Sequence, residues 1–339
     1  MKKWLKIELF VLVALLIVAL TVRIADTQDI FAPIKLQQEP TTEETTLFTE
    51  PTTEETTLPP TMPEITWKEL PADRVLTARQ AFVYDCQSES FTYHTGLNSV
   101  RDKVWPASIT KLFTAHVALQ YLSPESTVTA GEALSLIGEG SSIAQLCEGD
   151  VFTVEMLVQG MLLPSGNDAA YILATEAGRV LSGDGTLSAD RAVERFVQEM
   201  NAQAQQLGMT GTHFMNPDGY HDDNHYTTYK DLTVLARVAL ENEIVMGYTS
   251  VSKATVKPVQ GDQKEWINTN FIVDPESEYY CPYAVGLKTG QTEAAGSCLL
   301  SAFDIEGRYY VIGVFGCPEY TDRFDDTLQL FNEKVIATG

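Results

Sequence analysis

The pattern of apolar and polar positions predicts strands near both ends of the folded part of the chain. Residues 81–85 and 91–94 are strand-like and flank a polar turn, which predicts a β-hairpin. Residues 298–303 and 309–315 flank a second turn in the same way. The two hairpins predict one antiparallel sheet that is assembled from the two ends of the chain.

Between these hairpins, apolar residues recur at intervals of three and four, which is the helical period. The pattern predicts helices over residues 110–122, 193–207 and 229–243, and a last helix over residues 325–336. Thr228 and Asp231 have the spacing of a capping box at the start of the third helix. The predicted fold class is therefore α/β of the α+β kind, with an antiparallel sheet flanked by helices and an all-helical subregion in the middle of the chain.

Residues 1–25 form a separate segment, in which lysines precede an apolar run over residues 9–22. A helix over that run rises only about 21 Å, less than the roughly 30 Å of membrane hydrocarbon, which by length favours a cleaved export signal. Flanking apolar residues lengthen the run and no A-x-A cleavage site follows it, which favours an uncleaved anchor. We expect the rest of the chain outside the cell membrane, held by this anchor, or secreted where the segment is cleaved.

Residues 26–66 predict a disordered stalk rich in Thr, Glu and Pro. The nine letters EPTTEETTL occur twice, at 39–47 and at 50–58. Low hydrophobicity and like charges prevent such a segment from forming a core. The folded domain is therefore predicted over residues 67–339.

The formal net charge of −23 at pH 7 argues against nucleic acid as a partner, because phosphate binding needs clustered Lys and Arg. Five cysteines are scattered without C-x-x-C spacing, so they do not indicate a metal site or a redox pair. His221 and His225 flank two aspartates, but the Asn-Pro-Asp-Gly that precedes them is typical of a loop and no H-E-x-x-H occurs. We expect no metal.

Three short motifs occur in order: Ser108-Ile-Thr-Lys111, Ser165-Gly-Asn167 and Lys288-Thr-Gly290. Each motif alone is weak, since a helix-start serine followed by a solvated lysine occurs often by chance. Pro106 suits a first helical turn, so Ser108 and Lys111 are predicted at i and i+3 on one face of a helix start.

This placement provides what a serine nucleophile needs. Lys111 can reach the Ser108 hydroxyl, and burial together with the charge of Lys288 is expected to lower the pKa of Lys111 towards that of a base. The N–H groups at the helix start can favour an oxyanion. The pattern therefore predicts acyl transfer to Ser108.

The three motifs are the set shared by penicillin-binding proteins and class A β-lactamases. The segments PASITKLFTA, LLPSGNDAAYILA, NPDGYHDDNHYTT and GLKTGQTEAAGSCLL resemble those of the penicillin-binding D-alanyl-D-alanine carboxypeptidases. The second motif reads SGN rather than SDN, and no E-x-x-L-N follows it as in class A β-lactamases. The resemblance implies a β-lactamase/transpeptidase-like fold and a peptidoglycan stem pentapeptide as substrate, with β-lactams as acylating inhibitors.

The resemblance also implies roles in the reaction. Ser108 attacks the carbonyl of the penultimate D-alanine and forms an acyl-enzyme, while Lys111 accepts its proton. Ser165 relays a proton to the departing amine, and Asn167 orients Lys111 and contacts the substrate amide. Water then releases the acyl group without a metal or any other cofactor.

On the binding side, the resemblance implies that Lys288 and Thr289 hold the terminal carboxylate. Gly290 lets an edge strand approach the peptide, and the backbone N–H groups of Ser108 and Gln291 form the oxyanion hole. A β-lactamase-like hydrolase or a D,D-endopeptidase would use the same motifs. A non-catalytic β-lactam sensor, from a different class, would keep Ser108 and Lys111 only to be acylated.

Overall fold

The computed structural model describes residues 74–338. The predicted N-terminal segment 1–25, the predicted stalk 26–66 and the predicted start of the domain at residue 67 lie outside the described residues. No helix within residues 74–338 is both long and apolar enough to cross a membrane. The anchor and the stalk therefore stay predictions.

The strands of the described residues fall into one large sheet and three short ribbons. They are β1 (Gln80–Asp85), β2 (Ser90–Thr95), β3 (Lys103–Val104), β4 (Thr127–Thr129), β5 (Val151–Thr153), β6 (Thr227–Thr228), β7 (Lys253–Val256), β8 (Lys264–Ile267), β9 (Ala284–Thr292), β10 (Gly296–Ile305) and β11 (Arg308–Cys317). The ribbons pair β3 with β6, β4 with β5, and β7 with β8.

The helices lie mainly between β3 and β7 in the chain. They are α1 (Thr110–Tyr121), α2 (Val154–Leu162), α3 (Asn167–Ser182), α4 (Ala189–Gln206), α5 (Tyr229–Leu240), α6 (Glu243–Thr249) and α7 (Asp322–Lys334). Short 3₁₀ helices occur at Ala107–Ile109, Glu132–Leu136 and Phe271–Val273.

The large sheet has the strand order β2-β1-β11-β10-β9 and is antiparallel throughout. Strand β1 pairs with β11, so that Val83 lies opposite Ile312. The sheet predicted from the two ends of the chain, and both predicted hairpins, are therefore confirmed. Among residues 74–338, the strand that carries the third motif, β9, lies at one edge of the sheet and no strand pairs with its outer side.

Both faces of the sheet are covered. On β1, Phe82 belongs to the core shared with the middle helices, whereas Val83 belongs to a second core on the face where α7 packs. This is why β1 reads as a nearly continuous apolar run rather than a strict alternation. The free edge of β9 is thus held in place by packing on two sides.

The helix predicted over residues 229–243 ends earlier than predicted. It stops at Leu240, and a separate helix, α6, begins at Glu243. The cause is a new cap, because the side chain of Asn242 accepts a hydrogen bond from the N–H of Val245. The predicted cap at Thr228, which accepts from the N–H of Asp231, is confirmed.

Candidate active site

The first motif lies at the start of α1. The 3₁₀ turn Ala107–Ile109 leads directly into this helix, with Pro106 at the boundary. Ser108 and Lys111 therefore share one side of a helix start, where we predicted them. Lys111 Nζ donates a hydrogen bond of 2.7 Å to Ser108 Oγ, so the amine is within reach of the hydroxyl proton.

The Lys111 side chain has no exposure to solvent. Its amine makes a second hydrogen bond of 2.7 Å, to the backbone carbonyl oxygen of Asp218. Burial lowers the pKa of Lys111 to about 8, although the nearby carboxylates of Asp218 and Asp168 favour the charged form. The neutral amine is therefore accessible at moderate pH.

Lys288 is the second buried amine of the site. It lies on β9 and contacts the carbonyl oxygen of Thr289 at 3.2 Å. Burial, and then repulsion from Lys111 and Arg323, holds the pKa of Lys288 well below its ordinary value. The expected repulsion between the two lysines thus lowers the pKa of Lys288, whereas at Lys111 the lowering comes from burial.

The second motif turns the chain between α2 and α3. Ser165 is nearly buried and has a φ of +63°, a left-handed conformation that few residues other than glycine adopt. Its backbone carbonyl accepts a hydrogen bond of 2.7 Å from Ser142 Oγ. The motif is therefore tied to the loop that precedes β5.

Asn167, the first residue of α3, is tied to the same loop. Its Nδ2 donates to Ser141 Oγ over 2.8 Å, while its Oδ1 has no hydrogen-bond partner among residues 74–338. The Asn167 side chain thus makes no direct hydrogen bond to Lys111, and the orienting role that the resemblance implies for Asn167 stays a prediction. The hydrogen bond that Lys111 Nζ does make on this side goes to the carbonyl oxygen of Asp218.

Two glycines let other backbone segments lie close to the turn that carries Ser108. A Cβ at Gly290 would lie 2.8 Å from Pro106 O and 3.2 Å from Ser108 N. A Cβ at Gly219 would lie 1.9 Å from Ala107 O, and the φ of Gly219 is +81°. Only glycine fits either position without a shift of the backbone.

Two cavities meet at Ser108, one of about 900 Å³ and one of about 410 Å³. Asn167 lines the larger cavity and Ser165 lines the smaller. Thr289 and Gly290 border the smaller cavity, and the exposed Gln291 borders both. The structure therefore brings the three motifs to one cleft, with Lys111 and Lys288 buried behind its wall.

Arg323, near the start of α7, is a site residue that the sequence analysis missed. It lines the smaller cavity, and its Nη1 donates to the carbonyl oxygen of Gly290 over 3.1 Å. Its Nη2 donates to Gln291 Oε1 over 3.2 Å. No motif surrounds Arg323, and only the packing of α7 on the sheet brings it to β9.

Asp218 is a second missed residue. Its side chain is fully buried, Oδ1 accepts from the N–H of Tyr220 over 3.1 Å, and Oδ2 has no partner within residues 74–338. Burial raises the pKa of Asp218, against the opposing charge of Lys111. The sequence shows only a turn here, so nothing in it distinguishes a buried carboxylate from a solvated one.

His221 and His225, the two histidines considered above as metal ligands, lie in different surroundings. His225 is buried and contacts Thr110 Oγ1 at 2.8 Å and the N–H of Met215 at 3.2 Å, through its two ring nitrogens. His221 lies at the cleft, where its ring packs edge-on against Trp105 with centroids 5.6 Å apart. No group of three or more His, Cys, Asp or Glu within residues 74–338 is arranged to hold a metal ion.

A serine hydroxyl, a buried amine of lowered pKa and an open cleft with a guanidinium at one end can together carry acyl transfer. The amine can supply the base, and the outer edge of β9 can supply backbone groups for an extended peptide. The individual roles of the site residues stay predictions, and the experiments below test them.

Known proteins resemble this chain over most of its described length. A family model described as D-alanyl-D-alanine carboxypeptidase matches residues 68–318. A D-alanyl-D-alanine carboxypeptidase of Streptomyces sp. (strain K15) is 32% identical over 234 residues, which cover 66% of this chain and 77% of that relative. The D-alanyl-D-alanine carboxypeptidase DacF of Bacillus subtilis is 27% identical over 253 residues, 73% of this chain but only 59% of the relative.

Solved structures show the same architecture. The Streptomyces K15 DD-transpeptidase superposes with a TM-score of 0.68 at 28% identity, covering 76% of this chain and 97% of that one. Penicillin-Binding Protein D2 from Listeria monocytogenes, in a cefotaxime-bound form, gives a TM-score of 0.62 at 25% identity, covering 77% and 98%. The predicted fold class is thereby confirmed.

The close approach at Gly219 predicts a specific loss of reactivity. Gly219→Ala should slow acylation of Ser108 at least about tenfold, because a methyl group there displaces Ala107 and the turn that carries the nucleophile. Mass spectrometry after exposure to a serine-directed acylating reagent measures the rate.

Gly208→Ala is the matched control, since Gly208 has a φ of +80° but an added Cβ meets nothing within 4 Å. It should cost about 1 kcal/mol of stability and leave the rate unchanged. Equal rates in the two variants would show that the contact at Gly219 does not position Ser108.

Proposed function

The chain belongs to the D-alanyl-D-alanine carboxypeptidase family, and we propose that it removes the terminal D-alanine of peptidoglycan stem pentapeptides through an acyl-enzyme on Ser108. It is a serine peptidase. The observation that carries the proposal is the pair formed by Ser108 Oγ and Lys111 Nζ, 2.7 Å apart, at the junction of the two cavities.

Acylation begins with the neutral amine of Lys111. With a pKa of about 8, about one tenth of Lys111 is neutral at pH 7. It takes the proton of Ser108 as Oγ attacks the carbonyl carbon of the penultimate D-alanine. The negative charge that develops on the carbonyl oxygen faces the N–H groups of Ser108 and Gln291.

Collapse of this intermediate breaks the peptide bond, and the departing amine needs a proton. Lys111 holds the proton taken from Ser108, and Ser165, which borders the smaller cavity, passes it to the leaving nitrogen. D-alanine departs, and a water molecule then attacks the ester carbonyl, with Lys111 again as the base. The acid is released and Ser108 regains its proton.

The terminal carboxylate of the substrate fits the smaller cavity. Thr289 and Arg323 line that cavity, and Thr289 Oγ1 lies 2.6 Å from Thr269 Oγ1. Lys288 lies behind them, 3.5 Å from Thr269 Oγ1. A guanidinium with two hydroxyl groups gives both the charge and the directional donors that a carboxylate needs.

The same cleft accommodates β-lactams as acylating inhibitors, in keeping with the family. After ring opening, the β-lactam acyl group occupies Ser108 as the stem peptide does. A β-lactamase-like hydrolase would release this group quickly, whereas a carboxypeptidase retains it. Retention without release of D-alanine would instead fit a β-lactam sensor, or an endopeptidase that requires cross-linked substrate.

We also propose that the enzyme acts outside the cell membrane, anchored by residues 1–25 and spaced from the bilayer by residues 26–66. The support is the basic start, the apolar run and the repeated Thr/Glu sequence.

The placement predicts that the full chain sediments with membranes and that external protease removes its catalytic domain from intact spheroplasts. Mass spectrometry of the membrane-bound protein should find residues 1–25 still attached. A soluble protein that has lost these residues would show a cleaved signal, and protection from external protease would overturn the proposed orientation.

The full chain should release free D-alanine from a stem pentapeptide that ends in D-Ala-D-Ala, and Ser108→Ala should abolish the release. Removal of the nucleophile leaves no acyl-enzyme route, so a loss of at least about a thousandfold is expected. Enzymatic quantification of D-alanine measures it. Equal release by the wild type and Ser108→Ala would contradict the assignment of the nucleophile.

The buried carboxylate of Asp218 predicts a shift in pH dependence. A nearby negative charge stabilises the ammonium form of Lys111 and so raises its pKa. Asp218→Asn removes that charge, so Lys111 should lose its proton at lower pH. The rise of the acylation rate with pH should then move to lower pH, which a fluorescent penicillin can follow from about pH 5 to about pH 10.

Asp223→Asn is the matched control, because Asp223 lies on the same loop with an exposed side chain. Its pH profile should equal that of the wild type. A uniform fall in rate at every pH in Asp218→Asn, with no shift along the pH axis, would show that Asp218 acts only on folding.

A further inference from the structure

The loop between α4 and β6, residues 207–226, is fastened to the start of α1. Thr114 Oγ1 donates to the carbonyl oxygen of Pro217 over 2.6 Å, and Lys111 Nζ donates to the carbonyl oxygen of Asp218 over 2.7 Å. Both donors lie near the start of α1. The position of this loop therefore sets where the amine of Lys111 is held.

His225 lies near the end of the same loop, and both nitrogens of its ring face a polar partner. Nδ1 lies 3.2 Å from the backbone nitrogen of Met215, and Nε2 lies 2.8 Å from Thr110 Oγ1. Because a backbone N–H can only donate, Nδ1 must be the nitrogen without a proton. The ring is therefore neutral with its proton on Nε2, and Nε2 donates to Thr110 Oγ1.

The surroundings of the ring keep it neutral. His225 is 2% exposed and packs edge-on against Phe214, with ring centroids 5.6 Å apart. Burial lowers the pKa of His225 to about 3, although the nearby carboxylate of Asp222 opposes this shift. The ring lines neither of the two cavities that meet at Ser108. A ring with a fixed proton and no place in the cleft acts through geometry rather than through proton transfer.

The two contacts of His225 close the loop and attach it to α1. Met215 and His225 lie on either side of Asp218 in the chain, so their hydrogen bond closes the loop across its base. The bond from His225 to Thr110 attaches that base to the first residue of α1. Lys111 is the next residue of the helix, and its amine binds the carbonyl oxygen of Asp218. The loop is thus tied to two successive residues of one helix.

We propose that His225 is a positioning residue for the acylation of Ser108. Its neutral ring, with the proton on Nε2, holds the loop against Thr110. The carbonyl oxygen of Asp218 then keeps the Lys111 amine beside the Ser108 hydroxyl. The inference rests on the proposed acyl-enzyme at Ser108 and adds a residue that acts on the reaction through Lys111. Loss of the His225 ring slows the chemical step and leaves binding in the cleft unchanged.

Two substitutions of His225 separate its two contacts. The side-chain amide in His225→Gln reaches the position of Nε2 and can still donate to Thr110, whereas that in His225→Asn reaches only the position of Nδ1. We expect His225→Gln to keep at least about half of the wild-type acylation rate and His225→Asn to lose about tenfold. Labelling of the full chain by a fluorescent penicillin at increasing concentration measures the limiting acylation rate and the dissociation constant separately. The dissociation constant should be the same in all three proteins.

A double-mutant cycle tests the hydrogen bond itself. Thr110→Val removes the hydroxyl that accepts from Nε2 with little change in shape, so it should also slow acylation about tenfold. Combined with His225→Asn it should cause no further loss, since the bond is already absent. Thr233→Val is the matched control, because Thr233 is a buried residue of α5 whose hydroxyl donates to the carbonyl oxygen of Lys230 in its own helix. It should leave the acylation rate unchanged.

The proton on Nε2 has its own spectroscopic signature. Nitrogen-15 NMR of the full chain labelled at histidine distinguishes a ring nitrogen that carries a proton from one that does not. The His225 signals, identified by their loss in His225→Gln, should show a bare Nδ1 and a protonated Nε2 at pH 7. A proton on Nδ1 would overturn the proposal, because Nδ1 could not then accept from Met215.

The outcomes separate the positioning role from the function. Wild-type acylation rates in His225→Asn and Thr110→Val, or additive losses in the combined variant, would overturn the role of His225 while leaving the acyl-enzyme on Ser108 intact. Equal losses in His225→Asn and His225→Gln would also overturn it, since that pattern reflects packing of the ring alone. No labelling of the wild type at Ser108 would overturn the proposed function and the positioning role with it. Thermal unfolding verifies that each variant is folded, and Thr110→Val against Thr233→Val carries the comparison where His225→Asn does not fold.

Discussion

The structure depends on a lysine amine kept away from water. Lys111 is held between Ser108 Oγ and the carbonyl oxygen of Asp218, and none of its side chain is exposed. A buried ammonium is costly, so burial favours the neutral amine that the chemistry requires. This requirement explains why the nucleophile lies on a helix start enclosed by other elements, rather than on an open loop. The cleft is lined by Ser108, whereas Lys111 is buried beneath the cleft wall.

Enclosing the amine requires backbone segments that are distant in sequence to meet at one turn. The loop containing Gly219 and the edge strand β9 containing Gly290 both approach the turn that carries Ser108, so closely that a side chain at either glycine would collide with it. The sheet makes this possible, because the first strand, β1, pairs with the last, β11, and fixes β9 at an edge. Strands from the two ends of the domain thus enclose a site whose proposed nucleophile, Ser108, lies between them in the chain.

The parts predicted from sequence are those with a local signal. The hairpins have alternating positions and turns, the cap at Thr228 has its spacing, and Ser108 with Lys111 needs only one helical turn. Arg323 and Asp218 have no such signal, because their importance comes from where tertiary packing buries them. The helix predicted over residues 229–243 failed for a related reason, since the period of three and four continues through Asn242, whose side chain begins a new helix. Local patterns identify elements, but burial decides which polar groups work together.

The two buried lysines show how neighbouring charges give two residues of the same type different pKa values. Both are enclosed, yet carboxylates near Lys111 oppose the effect of burial and leave its pKa at about 8, whereas Lys288 has cations near it and its pKa lies well below the ordinary value. A base at Lys111 must be neutral often enough to act and basic enough to accept a proton, and an intermediate pKa meets both demands. Under the proposed function, entry of the substrate carboxylate would give Lys288 a negative neighbour and so raise its pKa. On that proposal, substrate binding favours proton uptake at Lys288, and the positive charge gained there would hold the carboxylate.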